Sequence, residues 1–262
     1  MTTIVHTTDL GADARSALIH SVALARSGAA HLISLHANAP EEVLGRIPDA
    51  ASVLSAWGDA PDAVEFSKRV HNCCDDPVET ILDAIGTIEP DLVVATTHPR
   101  GPLSRFVAGS RAEAISHNVT APVLVVGTHA RGFVAAEDGT IALRRVLVPI
   151  GDPEEAQAAV SAAGWLASLA GCDDTEFILL HIGAPRSTDT AALAAHPGWT
   201  VRHVTVPKGS VEAVVADQAE HADLVVMATR GHDSLHDVLL GSHTDDVLHR
   251  ASCPVLSVRV GS

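Results

Sequence analysis

Short runs rich in Val, Ile and Leu alternate along the chain with longer Ala-rich stretches whose apolar residues recur at i, i+3 and i+4. The first pattern predicts strands and the second amphipathic helices, and their alternation marks βαβ units around a mainly parallel sheet. In the first half the runs predict strands at Thr3–Thr8, His31–Asn38, about Glu65–Cys73, Asp91–Thr96 and Pro122–Gly127. In the second half they predict strands at Arg145–Ile150, Thr175–Ile182, Trp199–Val206, Asp223–Ala228 and Pro254–Val260. The clearest helical stretches are "DARSALIHSVALARSG" and "PEEAQAAVSAAGWLASLAG", each with an acidic first turn and a closing glycine.

The two halves repeat one another. The segment from Asp91 to Val126 lies without a gap on the segment from Asp223 to Val258, at a constant offset of 132. Under it Gly109-Ser110 meets Gly241-Ser242, His117 meets His249 and Pro122 meets Pro254. Upstream, "PVETILDAI" and "SVEAVVADQ" correspond after a slip of one residue. The expected architecture is therefore α/β: two tandem, doubly wound, five-stranded parallel-sheet domains forming a pseudo-dimer within one chain. Residues 1–127 make the first domain and 144–262 the second. The segment "THARGFVAAEDGTIAL", 128–143, has Gly, charge and no sustained period, and reads as a linker.

In such a sheet a ligand sits beyond the carboxyl ends of the strands where their order reverses, and strands one and four of each copy carry the suggestive chemistry there. A helix opening at Gly241-Ser242 presents free N–H groups and a positive dipole end, with a serine hydroxyl beside them, which suits an anion. Gly231, just past the fourth strand, would let a phosphate approach backbone. The competing view is that these are an ordinary helix cap and turn glycine.

The "DLVV" strands, the Gly-Ser that opens the last helix and the closing "APVLVV" and "CPVLSV" strands resemble the universal stress protein family in its tandem form, over nearly the whole chain. The resemblance implies a flavodoxin-type layer with strand order 3-2-1-4-5. It implies a G-x2-G-x9-G-[ST] cradle for ribose and phosphates, an Asp after the first strand near adenine, and a final strand that pairs across a dimer or between tandem halves. In the second copy that cradle falls on Ala228, Gly231, Gly241 and Ser242, with Gly151 at the place of the Asp and Asp152 one residue later. The remaining contacts implied there fall on Pro149, Ile150, Ile182, Met227, Arg230, His243 and Thr244. The first copy keeps Asp9 but reads Thr96, Pro99, Gly109 and Ser110 at the cradle. Proline removes an N–H and fixes φ, so the first cradle is expected to be degenerate. The resemblance thus implies a stress-response regulator binding ATP or AMP in its second domain, with magnesium alongside ATP. The alternative is a nucleotide-free tandem scaffold with both sites degenerate.

Charge and cysteine content narrow the classes further. With 17 Lys and Arg against 32 Asp and Glu the net charge is -15, which repels nucleic acid and anionic lipid. No run approaches the roughly 20 apolar residues of a membrane span, and no basic leader opens the chain, so cytoplasmic residence is expected. An unidentified protein partner is expected, and association into a homodimer stays open. The four cysteines form no CxxC pair, and adjacent Cys73 and Cys74 read as two separate thiols. Cys253 reads as a small buried hydrophobe. His232 and His236 stand four apart near Asp233, Asp237 and His243, but without the HExxH pattern, and no metal is expected. Walker, GxGxxG and GxSxG motifs are missing, so catalysis is limited to slow ATP hydrolysis near Arg230 and His243 at most.

Overall fold

A computed structural model describes residues 1–11, 14–97, 111–184, 191–230 and 243–260, the side chains of 111, 113, 117, 229, 230 and 243–245 excepted. The first half runs β1 (Thr3–Thr7), α1 (Arg15–Ser27), β2 (His31–Ala37), a short 3-10 helix (Glu41–Arg46), α2 (Ala50–Trp57), β3 (Phe66–His71), α3 (Pro77–Ile88), β4 (Leu92–Thr97), α4 (Arg111–Asn118) and β5 (Val123–Gly127). The second runs β6 (Arg145–Ile150), α5 (Pro153–Leu169), β7 (Glu176–Ile182), β8 (Thr200–Val206), α6 (Val211–Ala219), β9 (Leu224–Arg230), α7 (His243–Arg250) and β10 (Val255–Val260). All ten expected strands form, with ends shifted by a residue or two. Helix α1 starts later than its sequence pattern suggests, at Arg15, with Ala14 giving no side-chain cap and no acid in the first turn.

The strands form one sheet in the order β3-β2-β1-β4-β5-β10-β9-β6-β7-β8. Each half has the order 3-2-1-4-5, read inward from opposite edges to the seam, and every pairing is parallel except the seam, where β10 meets β5 antiparallel. Leu256 faces Leu124 across that seam, with Val255 opposite Val125. The two five-stranded units are thus fused through their last strands rather than merely tethered.

Helices cover both faces, and each apolar core crosses the seam. On one face α1, α2 and α5 bury Leu18, Leu24, Leu54, Ala163 and Leu166. On the other, α3, α4, α6 and α7 bury Ile81, Ile85, Ile115, Val215 and Val247. The end of α1 comes close to the Leu169 side chain of α5 at Gly28. A Cβ on Gly28 would stand 2.1 Å from Leu169 Cδ1, so a larger residue there would make the leucine side chain move aside.

Segment 128–143, whose composition reads as a linker, is packed rather than loose. Phe133 and Leu143 are buried, and Val134 bridges Ile141. His20 on α1 donates through Nδ1 to Ser16 O at 2.7 Å and accepts the Phe133 N–H at Nε2, 3.2 Å away. Trp57 donates to Ala136 O at 2.9 Å. Arg26 pairs with Asp59, donates to Gly139 O at 2.7 Å and lies 4.8 Å from the Trp57 ring. Arg131 then reaches the second half, its N–H donating to Ser252 O at 2.7 Å and its guanidinium to Ala222 O at 2.6 Å. A polypeptide with little apolar pattern is held by hydrogen bonds to both halves, which its composition conceals.

Candidate functional site

Strand order fixes where a ligand crevice can open. The crossovers from β1 and β6 leave toward β2 and β7, whereas β4 and β9 lie on their other sides, so order reverses between β1 and β4 and between β6 and β9. Register gives the residue correspondence there. Ile4 pairs with Leu92 and Val146 with Leu224, so Ile4 matches Val146, His6 matches Val148, Thr7 matches Pro149 and Asp9 matches Gly151.

At the first reversal Asp9 is exposed, and its Oδ1 accepts the Gly11 N–H at 2.8 Å, folding the start of a long β1–α1 connection. Thr96 Oγ1, at the end of β4, is buried without a hydrogen-bond partner among the described residues. Pro99, Gly109 and Ser110 lie outside the described residues.

At the second reversal the strand passes almost directly into its helix. Gly151 is exposed, and Asp152 caps α5, its Oδ1 accepting the N–H groups of Glu154 at 3.0 Å and Glu155 at 3.3 Å. The short connection therefore commits this carboxylate oxygen to helix amides, whereas the longer loop in the first half leaves Asp9 beyond the helix. Ile150 and Met227 are buried in the cores on opposite faces of the sheet, while Ala228, Pro149 and Ile182 are half-buried. Arg230 closes β9, and His243 and Thr244 open α7. Gly231, Gly241 and Ser242 lie outside the described residues, as do His232 and His236.

Two buried histidines escaped sequence reasoning. His6, on β1 at the first reversal, is fully buried, with Nδ1 3.2 Å from Ser34 Oγ and no hydrogen-bond partner for Nε2 among the described residues. Burial pulls its pKa down to about 4, against the opposing influence of the Ala14 backbone and the Asp9 charge. His20 falls to about 4 for the same reason, opposed by its bond to Ser16. The signal was a lone His inside otherwise apolar runs, "TIVHTT" and "ALIHSVALA". By contrast His36 and His181, at matching places on β2 and β7, hold backbone carbonyls, Thr8 O at 2.7 Å and Ala184 O at 2.8 Å. They are framework.

Cys73 and Cys74, expected as two separate thiols, are instead joined in a disulfide between neighbouring residues in the connection from β3 to α3. Cys253 behaves as read, a buried thiol pushed up to about 12 by desolvation and thus no nucleophile at neutral pH.

A hollow of about 630 Å³ lies away from both reversals, at the edge where β4 and β5 begin, beside Asp91, Asn118 and Pro122. Its place at the amino ends of the strands is the wrong edge for the fold's usual ligand position.

The family model described as the universal stress protein family matches residues 1–127 and 187–259. The chain belongs to the universal stress protein family. A universal stress protein of Mycolicibacterium smegmatis is 27% identical over 201 residues, 69% of this chain and 65% of that relative, so the match spans just under two thirds of its length. The crystal structure of a universal stress protein from Archaeoglobus fulgidus covers 99% of this chain and 97% of its own at 17% identity, with a TM-score of 0.65. A functionally unknown protein from Pseudomonas aeruginosa PAO1 covers 99% and 92% at 15% identity, with a TM-score of 0.60. Both structural likenesses establish the fold. Among the described residues of this universal stress protein, no helix is long and apolar enough to cross a membrane.

Proposed function

We propose that this universal stress protein is a cytoplasmic, nucleotide-responsive regulator that takes ATP or AMP at the strand reversal of its second half. The observation that carries the reading is the meeting of the β6 and β9 carboxyl ends where strand order reverses, with α7 following directly on the cradle sequence. Gly231, Gly241 and Ser242 would offer backbone N–H groups and a hydroxyl to the phosphates. Ala228 adds one methyl where the family motif has glycine, which a backbone at negative φ tolerates. Ile150 and Met227 are packed into the cores, so their contribution would come from backbone atoms. Arg230, His243 and Thr244 would supply charge and hydrogen bonds around the polyphosphate, with magnesium accompanying ATP. Contacts between the ligand and the 229–240 segment would change the surface offered to a protein partner, since a ligand shifts conformations only through differential contacts.

A second reading, a scaffold without nucleotide, draws support from Asp152. Its capping of α5 leaves the adenine end without the carboxylate that the family pattern places there. Denaturant unfolding with and without ATP separates the two. Nucleotide at one hundred times its dissociation constant should raise the unfolding free energy by about 2.7 kcal/mol. A scaffold would give superimposable curves.

A homodimer of this chain would have to use a surface other than the closing strands, because β5 and β10 already pair with each other. The sheet edges left are β3 and β8.

A further inference from the structure

The end of edge strand β3 gathers soft and borderline ligand groups. His71 Nε2 lies 2.7 Å from Asp83 Oδ2, and the ligand atoms of His71, Cys73 and Asp83 all fall within 4.8 Å of one another. In the oxidised chain Cys73 shares its sulfur with Cys74. From these groups we infer that reduction of the Cys73–Cys74 disulfide opens a binding site for a zinc-class divalent cation, held by His71 Nε2, Cys73 Sγ and an Asp83 oxygen with a fourth position open to water.

The chemistry balances with a dithiol reductant. Its two sulfurs are oxidised to a disulfide as the Cys73–Cys74 bond breaks, and the two protons it gives up finish on Cys73 and Cys74. Metal binding then displaces the Cys73 proton, because the ligand is the thiolate. An imidazole, a thiolate and a carboxylate are a donor set suited to zinc. Tetrahedral zinc sets its nitrogen, oxygen and sulfur ligands about 3.3–3.6 Å apart. The His71–Asp83 contact must therefore widen and the widest separations contract, movements of about an ångström that exposed Cys73 and Asp83 and half-buried His71 can make. Oxidation removes the thiolate and with it the site.

The surroundings hold the ligands in place. Asn72 exchanges two hydrogen bonds with the Ala39 backbone, both at 3.0 Å, and Asn38 donates to Asp75 O at 3.2 Å. Thr80 donates to Asn38 Oδ1 at 2.8 Å, and Asp76 caps α3 by accepting the Val78 and Glu79 N–H groups. The duplication does not explain the cluster. Register matches His71 to Val206, and between Val206 and Ser210 the second half has only Pro207, Lys208 and Gly209. Asp83 has no like counterpart either, since laying Val78-Glu79 on Val211-Glu212 puts it on Ala216. A pair of cysteines and a histidine have thus been placed in one copy of a shared framework.

Cobalt(II) is the probe, because a thiolate-to-cobalt charge-transfer band reports sulfur ligation even in a chain with many other histidines. The full chain is reduced with a phosphine, freed of air and titrated, beside the oxidised chain and the Cys73→Ser and His71→Gln variants, with circular dichroism confirming that each is folded. The inference predicts the band in the reduced chain, its loss in the oxidised chain and in Cys73→Ser, and a higher cobalt midpoint in His71→Gln. A reduced chain without the band, an oxidised chain that gives the same titration, or a band that survives Cys73→Ser and so arises from Cys74, Cys172 or Cys253, would each overturn it.

Discussion

Acidification from pH 6.5 to 5 should cost the fold about 2 kcal/mol for each of His6 and His20, and about 3 kcal/mol each by pH 4. Both rings are buried and neutral, with pKa values lowered to about 4 from 6.5. In that window the unfolded chain takes up protons that the folded chain refuses, so stability falls as pH falls. It is complete above about 6.5, and the loss from these two groups levels off below about 4. His20 has a structural stake as well. Its Nε2 must stay unprotonated to accept the Phe133 N–H, so protonation would release segment 128–143 from α1. Urea unfolding between pH 7 and 5, above most carboxylate titration, measures the slope. His6→Val supplies the residue that the second half carries at the matching position, Val148, and should flatten the slope by about half. A midpoint constant across that range would rule the account out.

Leu124→Ala and Leu256→Ala should each cost 2–5 kcal/mol, the range for deleting a fully buried leucine side chain. They face each other across the seam, so the double variant should depart from additivity. Because both cores run through the seam, either change should lower a single cooperative unfolding transition for the whole chain. Two transitions, only one of which moves, would mean that the halves fold separately and the seam is only a contact. Calorimetry of the wild type and the three variants distinguishes these outcomes.

The alternation of apolar runs and Ala-rich helices was enough to place all ten strands, because a buried parallel sheet demands near-continuous Val, Ile and Leu. Fusion into one sheet was less legible. An antiparallel closing pair has the same apolar pattern as a parallel one, and only the family resemblance pointed to it. Segment 128–143 was opaque for a different reason: its order comes from Arg26, Trp57 and Arg131 bonding to backbone, which leaves no periodicity in the sequence. At the candidate site, the correspondence of Asp9 with Gly151 could be read from sequence, and sheet register agrees with it. The fate of Asp152 could not, since whether a carboxylate caps a helix or faces a crevice depends on how soon the helix begins. The Cys73–Cys74 bond was hidden too, because adjacent cysteines pair only in particular local backbone and side-chain conformations that the sequence does not state.

The nucleotide reading turns on one difference between the copies, glycine at 231 against proline at 99. Equilibrium dialysis of the purified chain with labelled ATP, beside a Gly231→Pro variant that carries the first copy's residue in the second, tests it directly. The account predicts saturable binding of a single nucleotide per chain and its loss in Gly231→Pro. No binding at millimolar ATP with or without magnesium, or equal binding by the two proteins, would contradict it.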